Sequence, residues 1–288
     1  MKCELCPRAC RVDREASYGY CRVGSTAIVG RAAPHYWEEP CICGKNGSGT
    51  VFFSGCNLRC VFCQNSKISR EAYGREYSPE GLSELYLDLQ RQGVSNINFV
   101  TPTPWVRKIK SSLDIAWERG LYLPTVYNCG GYESVDALRS LRGYIGVYMP
   151  DFKYMSSALS EKYSSAPDYP EVAKRALYEM VNQRGELVFD GDGMLVKGVI
   201  VRHLVLPTHV DDSLRVLEYL KNEYGDNIIV SIMSQYTPFS SCPPPLDRRL
   251  SEEEYATVVN FAREIGIKNA YIQDGEAASE SFIPEFKN

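Results

Sequence analysis

The stretch SGCNLRCVFCQNSKIS, residues 54–69, places three cysteines too close together for ordinary core residues. Cys56, Cys60 and Cys63 follow the pattern Cys-x3-Cys-x2-Cys, and the adjoining loop offers no further Cys or His. Three thiolates leave one position of a tetrahedral metal, or one iron of a cluster, without a protein ligand. Structural zinc sites usually close the tetrahedron, whereas Cys thiolates are the usual ligands of a four-iron four-sulfur cluster. The spacing therefore favours a cluster with one open iron over zinc.

The residues on either side of this motif alternate between short apolar runs and longer amphipathic stretches, which indicates parallel strands joined by crossover helices. The first predicted strand, 50–55, ends directly at the cysteines. Further strands are predicted at 96–101, 125–130, 145–153, 199–207 and 228–236, with one more at 269–274 and a hairpin over 186–199. Helices are predicted at 78–93, 105–120, 133–143, 171–185, 211–225 and 251–266.

This order predicts an α/β fold, a partial or full (β/α) barrel of about six parallel strands with an N-terminal cysteine-rich extension. We place the metal-binding extension at residues 1–45 and the barrel at 46–288. Chemistry in such barrels lies at the C-terminal ends of the strands, where the informative polar residues of this sequence also fall.

Composition narrows the class of protein. The 288 residues are 44% apolar, enough for one barrel with a large core. Lys and Arg number 32 against 36 Asp and Glu, and no basic stripe points to nucleic acid. The polar N-terminus is not typical of a secretion signal, and no run of about 18 apolar residues could span a bilayer. We expect a cytoplasmic protein, without nucleic acid or membrane partners, whose clustered cysteines bind metal.

The pattern Cys-x3-Cys-x-aromatic-Cys at the end of a first barrel strand resembles the radical S-adenosylmethionine (SAM) superfamily. With NINFVTPT, DFKY, VRHLVLP and MSQY downstream, the chain resembles the branch of the pyruvate formate-lyase activating enzymes. The resemblance implies a four-iron four-sulfur cluster on Cys56, Cys60 and Cys63, whose open iron binds the amino and carboxylate groups of SAM. Reductive cleavage of SAM would give methionine and a 5′-deoxyadenosyl radical that abstracts hydrogen. It also implies an electron donor such as flavodoxin or ferredoxin.

The same resemblance suggests residues that bind SAM. Phe62 would lie by the adenine, with a core residue at the barrel mouth as the alternative. Many members carry Gly-Gly-Glu after the second strand, where this chain has Thr101-Pro102-Thr103-Pro104. The Thr101 and Thr103 side chains could substitute, but Thr-Pro pairs also simply end strands.

Later strand ends supply the remaining candidates. Asn128 ends the third strand, and Asp151 and Lys153 follow the fourth on one face. Both resemble activating-enzyme residues near SAM, with an internal ion pair as the alternative, and Lys153 joins the three cysteines as a catalytic candidate. Arg202 matches an arginine near the SAM carboxylate, with His203 on the opposite face. Two further residues, Tyr236 and its competitor Gln235, end the sixth strand.

A second cysteine group lies at the N-terminus. Cys3, Cys6, Cys10 and Cys21 could close a tetrahedral site for structural zinc or hold an auxiliary cluster. A metal would explain how so short and polar a segment is ordered. The thiols of Cys41 and Cys43 are expected to be free, or alternative ligands.

These observations predict a radical SAM enzyme that starts hydrogen abstraction, in the narrower version by activating a glycyl-radical enzyme. The alternatives are modification of a peptide or small metabolite, and a non-enzymatic iron–sulfur or zinc protein that carries electrons or senses redox state. The substrate does not follow from the sequence, because specificity would lie in loops such as 237–250.

Overall fold

The computed structural model of the chain describes residues 2–239 and 242–273. Within these residues, ten strands are interspersed with helices. The strands are β1 (Ala27–His35), β2 (Ser48–Phe53), β3 (Arg75–Tyr77), β4 (Ile97–Val100), β5 (Thr125–Cys129), β6 (Val147–Pro150), β7 (Val188–Phe189), β8 (Leu195–Leu204), β9 (Ile229–Met233) and β10 (Ala270–Ile272). The helices are α1 (Pro40–Cys43), α2 (Ser66–Glu71), α3 (Pro79–Arg91), α4 (Val106–Glu118), α5 (Val135–Ser140), α6 (Ser157–Ser164), α7 (Tyr169–Arg184), α8 (Val210–Tyr224) and α9 (Glu252–Glu264).

Seven of these strands form one parallel run in the order β2-β4-β5-β6-β8-β9-β10, so the predicted parallel α/β architecture is confirmed. The run is mostly buried and largely apolar, because helices cover its outer face and the barrel interior covers the other. The predicted hairpin is present, since β7 pairs antiparallel with β8. Part of the strand predicted at 269–274 is β10; Asp274 lies outside the described residues.

The six predicted helices are present as α3, α4, α5, α7, α8 and α9, with ends within three residues of the predicted bounds, whereas α1, α2 and α6 were not predicted. The Ser78 hydroxyl caps α3 by accepting a hydrogen bond from the Gly81 amide. Ser251 and Glu254 form a reciprocal capping box at the start of α9. These caps fix the register of the crossovers and hence the positions of the loops at the strand ends.

Strand β1 was not predicted. It pairs antiparallel with β2 and with β3, so part of the predicted 1–45 extension lies in the same sheet as the barrel strands. Its sequence, AIVGRAAPH, carries Gly, Pro and three Ala, which are poor strand signals. The domain boundary at 45 stays a prediction.

The short helix α1 closes one end of the barrel. His35 pairs with Ser48, the first residue of β2, so the chain leaves β1 at the N-terminal end of the parallel strands. Cys41 and Ile42 of α1 then pack among the apolar interior side chains of the strands, including Met149. The candidate site lies at the opposite end of the barrel, where the parallel strands terminate. No helix in the described ranges is both long and apolar enough to cross a membrane.

Candidate active site

A cavity of about 230 Å³ lies at the C-terminal ends of the parallel strands. The cysteine loop after β2 forms one wall, and residues at the ends of β4, β5, β6, β8 and β9 form the others. The structure brings together ten residues that the sequence predicted: Cys56, Cys60, Phe62, Cys63, Thr101, Thr103, Asn128, Asp151, Lys153 and Arg202.

The cysteine loop starts at a sharp turn. Gly55 has φ +88°, and a Cβ built there would lie 2.7 Å from the Val23 side chain. Only glycine meets both conditions, so Gly55 directs the chain from β2 into the loop.

Each of the three thiols has a hydrogen-bonding neighbour on this loop or beside it. The Leu58 amide donates to Cys56 Sγ over 3.4 Å, and the Ser164 hydroxyl donates to Cys60 Sγ over 3.0 Å. Cys63 Sγ lies 3.4 Å from the Ser69 hydroxyl. Such donors stabilise thiolates.

The cysteines fit a cluster better than a single ion. All three are free thiols on one cavity. Three thiolates leave a single zinc ion without its fourth ligand, whereas a four-iron four-sulfur cluster can be held by three Cys and keep one iron open. Burial, partly opposed by the Lys153 charge, raises the pKa of Cys60, so metal binding must displace its proton.

A network of charges faces the cysteines across the cavity. Lys153 Nζ lies 2.6 Å from Asp151 Oδ2, and Arg202 Nε lies 3.0 Å from Asp151 Oδ1. The Arg202 guanidinium also donates to Asn128 Oδ1 over 2.7 Å and to Glu38 Oε2 over 3.3 Å. Two cations and two carboxylates thus stand on one wall, an arrangement that suits a zwitterionic ligand.

The charges in this network support one another. Burial raises the pKa of Asp151, but the Lys153 and Arg202 charges outweigh it and hold that pKa below its ordinary value. Burial lowers the pKa of Lys153, but the Asp151 charge more than reverses this effect, so the pKa of Lys153 is raised above its ordinary value. The internal ion pair that the sequence offered as an alternative is therefore present, and it lines the cavity.

Thr101 and Thr103 follow β4. Thr101 has φ +58°, which is unfavourable for a β-branched residue, and its amide donates to the Asn128 carbonyl over 3.0 Å. The Thr103 hydroxyl donates to Glu133 Oε1 over 2.7 Å. Strained backbone of this kind is concentrated at functional sites, here beside the charge network.

Phe62 lines the cavity, whereas Tyr236 lies behind it. The two rings pack edge to face with centroids 6.0 Å apart, and the Tyr236 hydroxyl donates to the Leu246 carbonyl over 2.6 Å. Gln235 is the one of the two competing residues that reaches the cavity. A role for Tyr236 is therefore support of Phe62 rather than direct contact with a ligand. His203, as expected, faces away, with Nδ1 2.8 Å from the Phe152 carbonyl.

Sequence reasoning missed Glu38 and Tyr169. The Glu38 side chain is only 7% exposed and accepts from Asn98 and Asn128 as well as Arg202. The Tyr169 hydroxyl accepts from the Lys153 amide over 2.9 Å and lies 2.9 Å from the Asp151 carbonyl. An acid in WEEP resembles a solvated charge, and a Tyr at a helix start resembles core, so neither carried a signal.

A cysteine triad at the mouth of a parallel β/α sheet, facing the charged side chains of Lys153 and Arg202, is typical of cluster-binding barrel proteins. The chain belongs to the radical SAM superfamily, whose profile matches residues 50–276. It is therefore an enzyme of a superfamily that generally uses a four-iron four-sulfur cluster and SAM. Membership argues against the non-enzymatic alternatives.

The chain is also similar to two proteins of Methanocaldococcus jannaschii. The chain is 29% identical to uncharacterized protein MJ0674 of Methanocaldococcus jannaschii over 93% of its own length and 76% of that protein. It is 25% identical to uncharacterized protein MJ0808 of the same organism, over 99% and 85%.

Among solved structures, HydG, a maturase of the [FeFe]-hydrogenase, matches 75% of this chain and about half of its own (48%), with TM-score 0.50 and 14% identity, which shows a shared fold. A domain of a pyruvate-formate lyase-activating enzyme from Bacteroides vulgatus aligns with 62% of this chain and 99% of its own, at TM-score 0.45 and 13% identity.

Proposed function

We propose that this chain cleaves SAM reductively at a cluster on Cys56, Cys60 and Cys63 and uses the resulting radical to abstract hydrogen from a substrate. One observation carries the proposal: the three thiols share a cavity with the Asp151–Lys153–Arg202 network. When bound, a four-iron four-sulfur cluster supplies the electron that breaks the carbon–sulfur bond of SAM.

The chain's own residues bind and orient SAM. Arg202 and Lys153 offer N–H donors to its carboxylate, while Asp151 and the Asn128 amide oxygen accept from its amino group. Thr101 and Thr103 extend this polar wall beside β4. Phe62, with Tyr236 packed behind it, presents an apolar ring edge for the adenine. Fixing SAM at both ends aligns its sulfonium for electron transfer.

The proposal is tested by anaerobic reconstitution with iron and sulfide, followed by SAM and dithionite and an assay for 5′-deoxyadenosine. We expect the product from the wild-type chain and none from Cys60→Ala. Cys41→Ala is the matched control, because this buried thiol lies in α1, away from the cavity. A fully loaded, reducible wild-type protein that makes no 5′-deoxyadenosine would rule out the proposal.

We propose further that the hydrogen donor is a glycine of a protein partner, with a flavodoxin or ferredoxin as electron donor. Support comes from Trp37, which lines the cavity and is 59% exposed. Exposed aromatic residues at a site favour macromolecular docking. A peptide carrying α-deuterated glycine should transfer deuterium to 5′-deoxyadenosine. If 5′-deoxyadenosine forms but no glycine peptide transfers deuterium to it, the hydrogen donor would be a different peptide residue or a small metabolite.

A further inference from the structure

The four N-terminal cysteines, separated by up to 18 positions in sequence, meet at one place. Cys3, Cys6, Cys10 and Cys21 line a small cavity together with Arg8, Arg14, Tyr20, Asn57 and Pro104. A Cβ built on Gly19 would lie 2.9 Å from Cys10 Sγ and 3.7 Å from Cys21 Sγ. A side chain at position 19 would therefore occupy the space between sulfurs, which accounts for the glycine.

The backbone around these cysteines already points amide donors at sulfur. The Arg8 amide hydrogen-bonds to the Cys6 thiol, and the Val23 amide to the Cys21 thiol, each two residues further along. Ala9, which directly precedes Cys10, and Arg22, which directly follows Cys21, have φ values of +39° and +62°. Positive φ values are uncommon for residues other than Gly. Hydrogen bonds of this kind favour a thiolate over a thiol.

The guanidinium groups of the half-buried Arg8 and Arg14 complete the cavity and lie over aromatic rings, Arg8 over Tyr20 and Tyr132 and Arg14 over Trp105, but their hydrogen bonding is incomplete. Arg8 Nη2 and Arg14 Nε and Nη2 are buried and have no hydrogen-bond partner among the described residues. Leaving such charged donors unsatisfied is costly. Four neutral thiols would not balance their two positive charges, whereas four thiolates around a divalent ion carry a net charge of −2.

We propose that Cys3, Cys6, Cys10 and Cys21 bind one zinc ion as thiolates, and that Arg8 and Arg14 neutralise this site and donate hydrogen bonds to its sulfurs. The cavity of about 10 Å³ is near the volume that holds one water molecule, which suits a single ion. Thiolate ligands select soft or borderline metals. In the described residues the sulfurs do not converge to ion-binding distances, so binding must draw them inward.

This zinc site would fix two loops of the SAM cavity, a consequence that rests on the proposed function. Arg8 Nε donates to the Asn57 carbonyl, next to Cys56, over 2.9 Å. Arg14 Nη1 donates to the Pro104 carbonyl, next to Thr103, over 2.6 Å. The same guanidiniums that neutralise the zinc site therefore hold the cysteine loop and the loop after β4.

The metal is counted in a Cys60→Ala background, where loss of the radical cluster cannot affect the result. We expect about one zinc per full-length chain. Zinc should be absent from the further variant with Cys6→Ser and Cys21→Ser, and retained with Cys43→Ser, whose thiol lies outside this cavity. Several irons with matching sulfide, or no metal, would overturn the proposal. If the double variant does not fold, the intact Cys60→Ala chain is titrated with an organomercurial in the presence of a chromophoric zinc chelator. The proposal requires that zinc is released as the thiols react.

The role of the arginines is tested separately by zinc retention against a competing chelator. Arg8→Gln should weaken zinc affinity about 10- to 100-fold, as loss of an outer partner does at other metal sites, and Arg8→Lys should restore part of it. Arg11→Gln is the control, because Arg11 is exposed and pairs with Glu4 at the surface. Equal zinc affinity in the Arg8→Gln and Arg11→Gln chains would contradict the assignment of Arg8.

Discussion

Arg202 holds the charge network together. Its guanidinium contacts Asp151, Glu38 and Asn128 from one position on β8, and its side chain is only 17% exposed. The rigid, planar guanidinium fixes the directions of its donors to all three acceptors, which the compact ammonium of Lys does not. The resemblance to activating enzymes identified Arg202 as a candidate, but its contact with Glu38 was not predicted.

We predict that Arg202→Gln lowers the free energy of unfolding by about 3 kcal/mol, because it leaves buried carboxylates without their cation. Chemical denaturation of the metal-free chain measures this change. Arg91→Gln is the control: Arg91 pairs with Glu84 and Asp88 at an exposed helix surface, where a pair contributes about 0–1 kcal/mol. Comparable losses in the two variants would show that the network is not structural.

Glu133 should make stability depend on pH. Burial raises the pKa of this carboxyl from 4.5 to about 7, partly opposed by hydrogen bonds from Thr103 and Tyr127. The folded chain therefore retains a proton that the unfolded chain releases. Protonated Glu133 contributes about 3 kcal/mol to the free energy of unfolding at pH values below the pKa of the unfolded chain. This contribution is lost as pH rises through about 7. Glu133→Gln removes this titration.

Urea unfolding at about pH 5 and about pH 8 measures the effect as a difference between the two chains. The wild type should lose more stability than Glu133→Gln across this interval. Parallel pH profiles would mean that Glu133 stays ionised in the fold.

At the scale of elements, the loop after β5 is fixed by Gly131. A Cβ there would lie 2.1 Å from the Asp151 carbonyl oxygen, and its φ is +77°. The ends of β5 and β6 thus approach so closely that no side chain fits between them, and Tyr169 then bonds to both. This contact sets the position from which Lys153 enters the cavity.

We predict that Gly131→Ala destabilises the chain several-fold more than Gly93→Ala. Gly93 has a similar φ of +81° but nothing within 4 Å of its Cβ position, so its substitution costs only the left-handed conformation, about 1 kcal/mol. Thermal or urea unfolding of both variants measures the difference. Similar losses would place the strand ends farther apart than described.

Much of this element pattern was predictable, because apolar periodicity and helix caps are local. The strands β2, β4, β5, β6, β8 and β9 and the helices α3, α4, α5, α7 and α8 follow from such signals, and with them the positions of Asn128, Asp151 and Lys153. Strand β1 and helix α1 were not predictable, because their place depends on long-range pairing with β2 and burial under the barrel. Glu38, which lies between them, was hidden for the same reason.

For the whole molecule, SAM binding should be visible as stability. A ligand that binds only the folded state at about 100 times its Kd raises the free energy of unfolding by about 2.7 kcal/mol. We expect this gain in the cluster-loaded wild type, as measured by thermal unfolding under anaerobic conditions. The Cys60→Ala chain should gain far less, since its open iron is missing. An equal gain in both chains would place SAM elsewhere.

The placement of Glu38 has a consequence for biosynthesis. Its cation, Arg202, is added 164 residues later, so a nascent chain that has reached only β6 holds an interior acid with amides but no counter-charge. The interior around Glu38 can therefore reach its final charge balance and exclude water only after β8 has been synthesised. Translation that stalls earlier would leave a wet, unfinished barrel exposed to proteases.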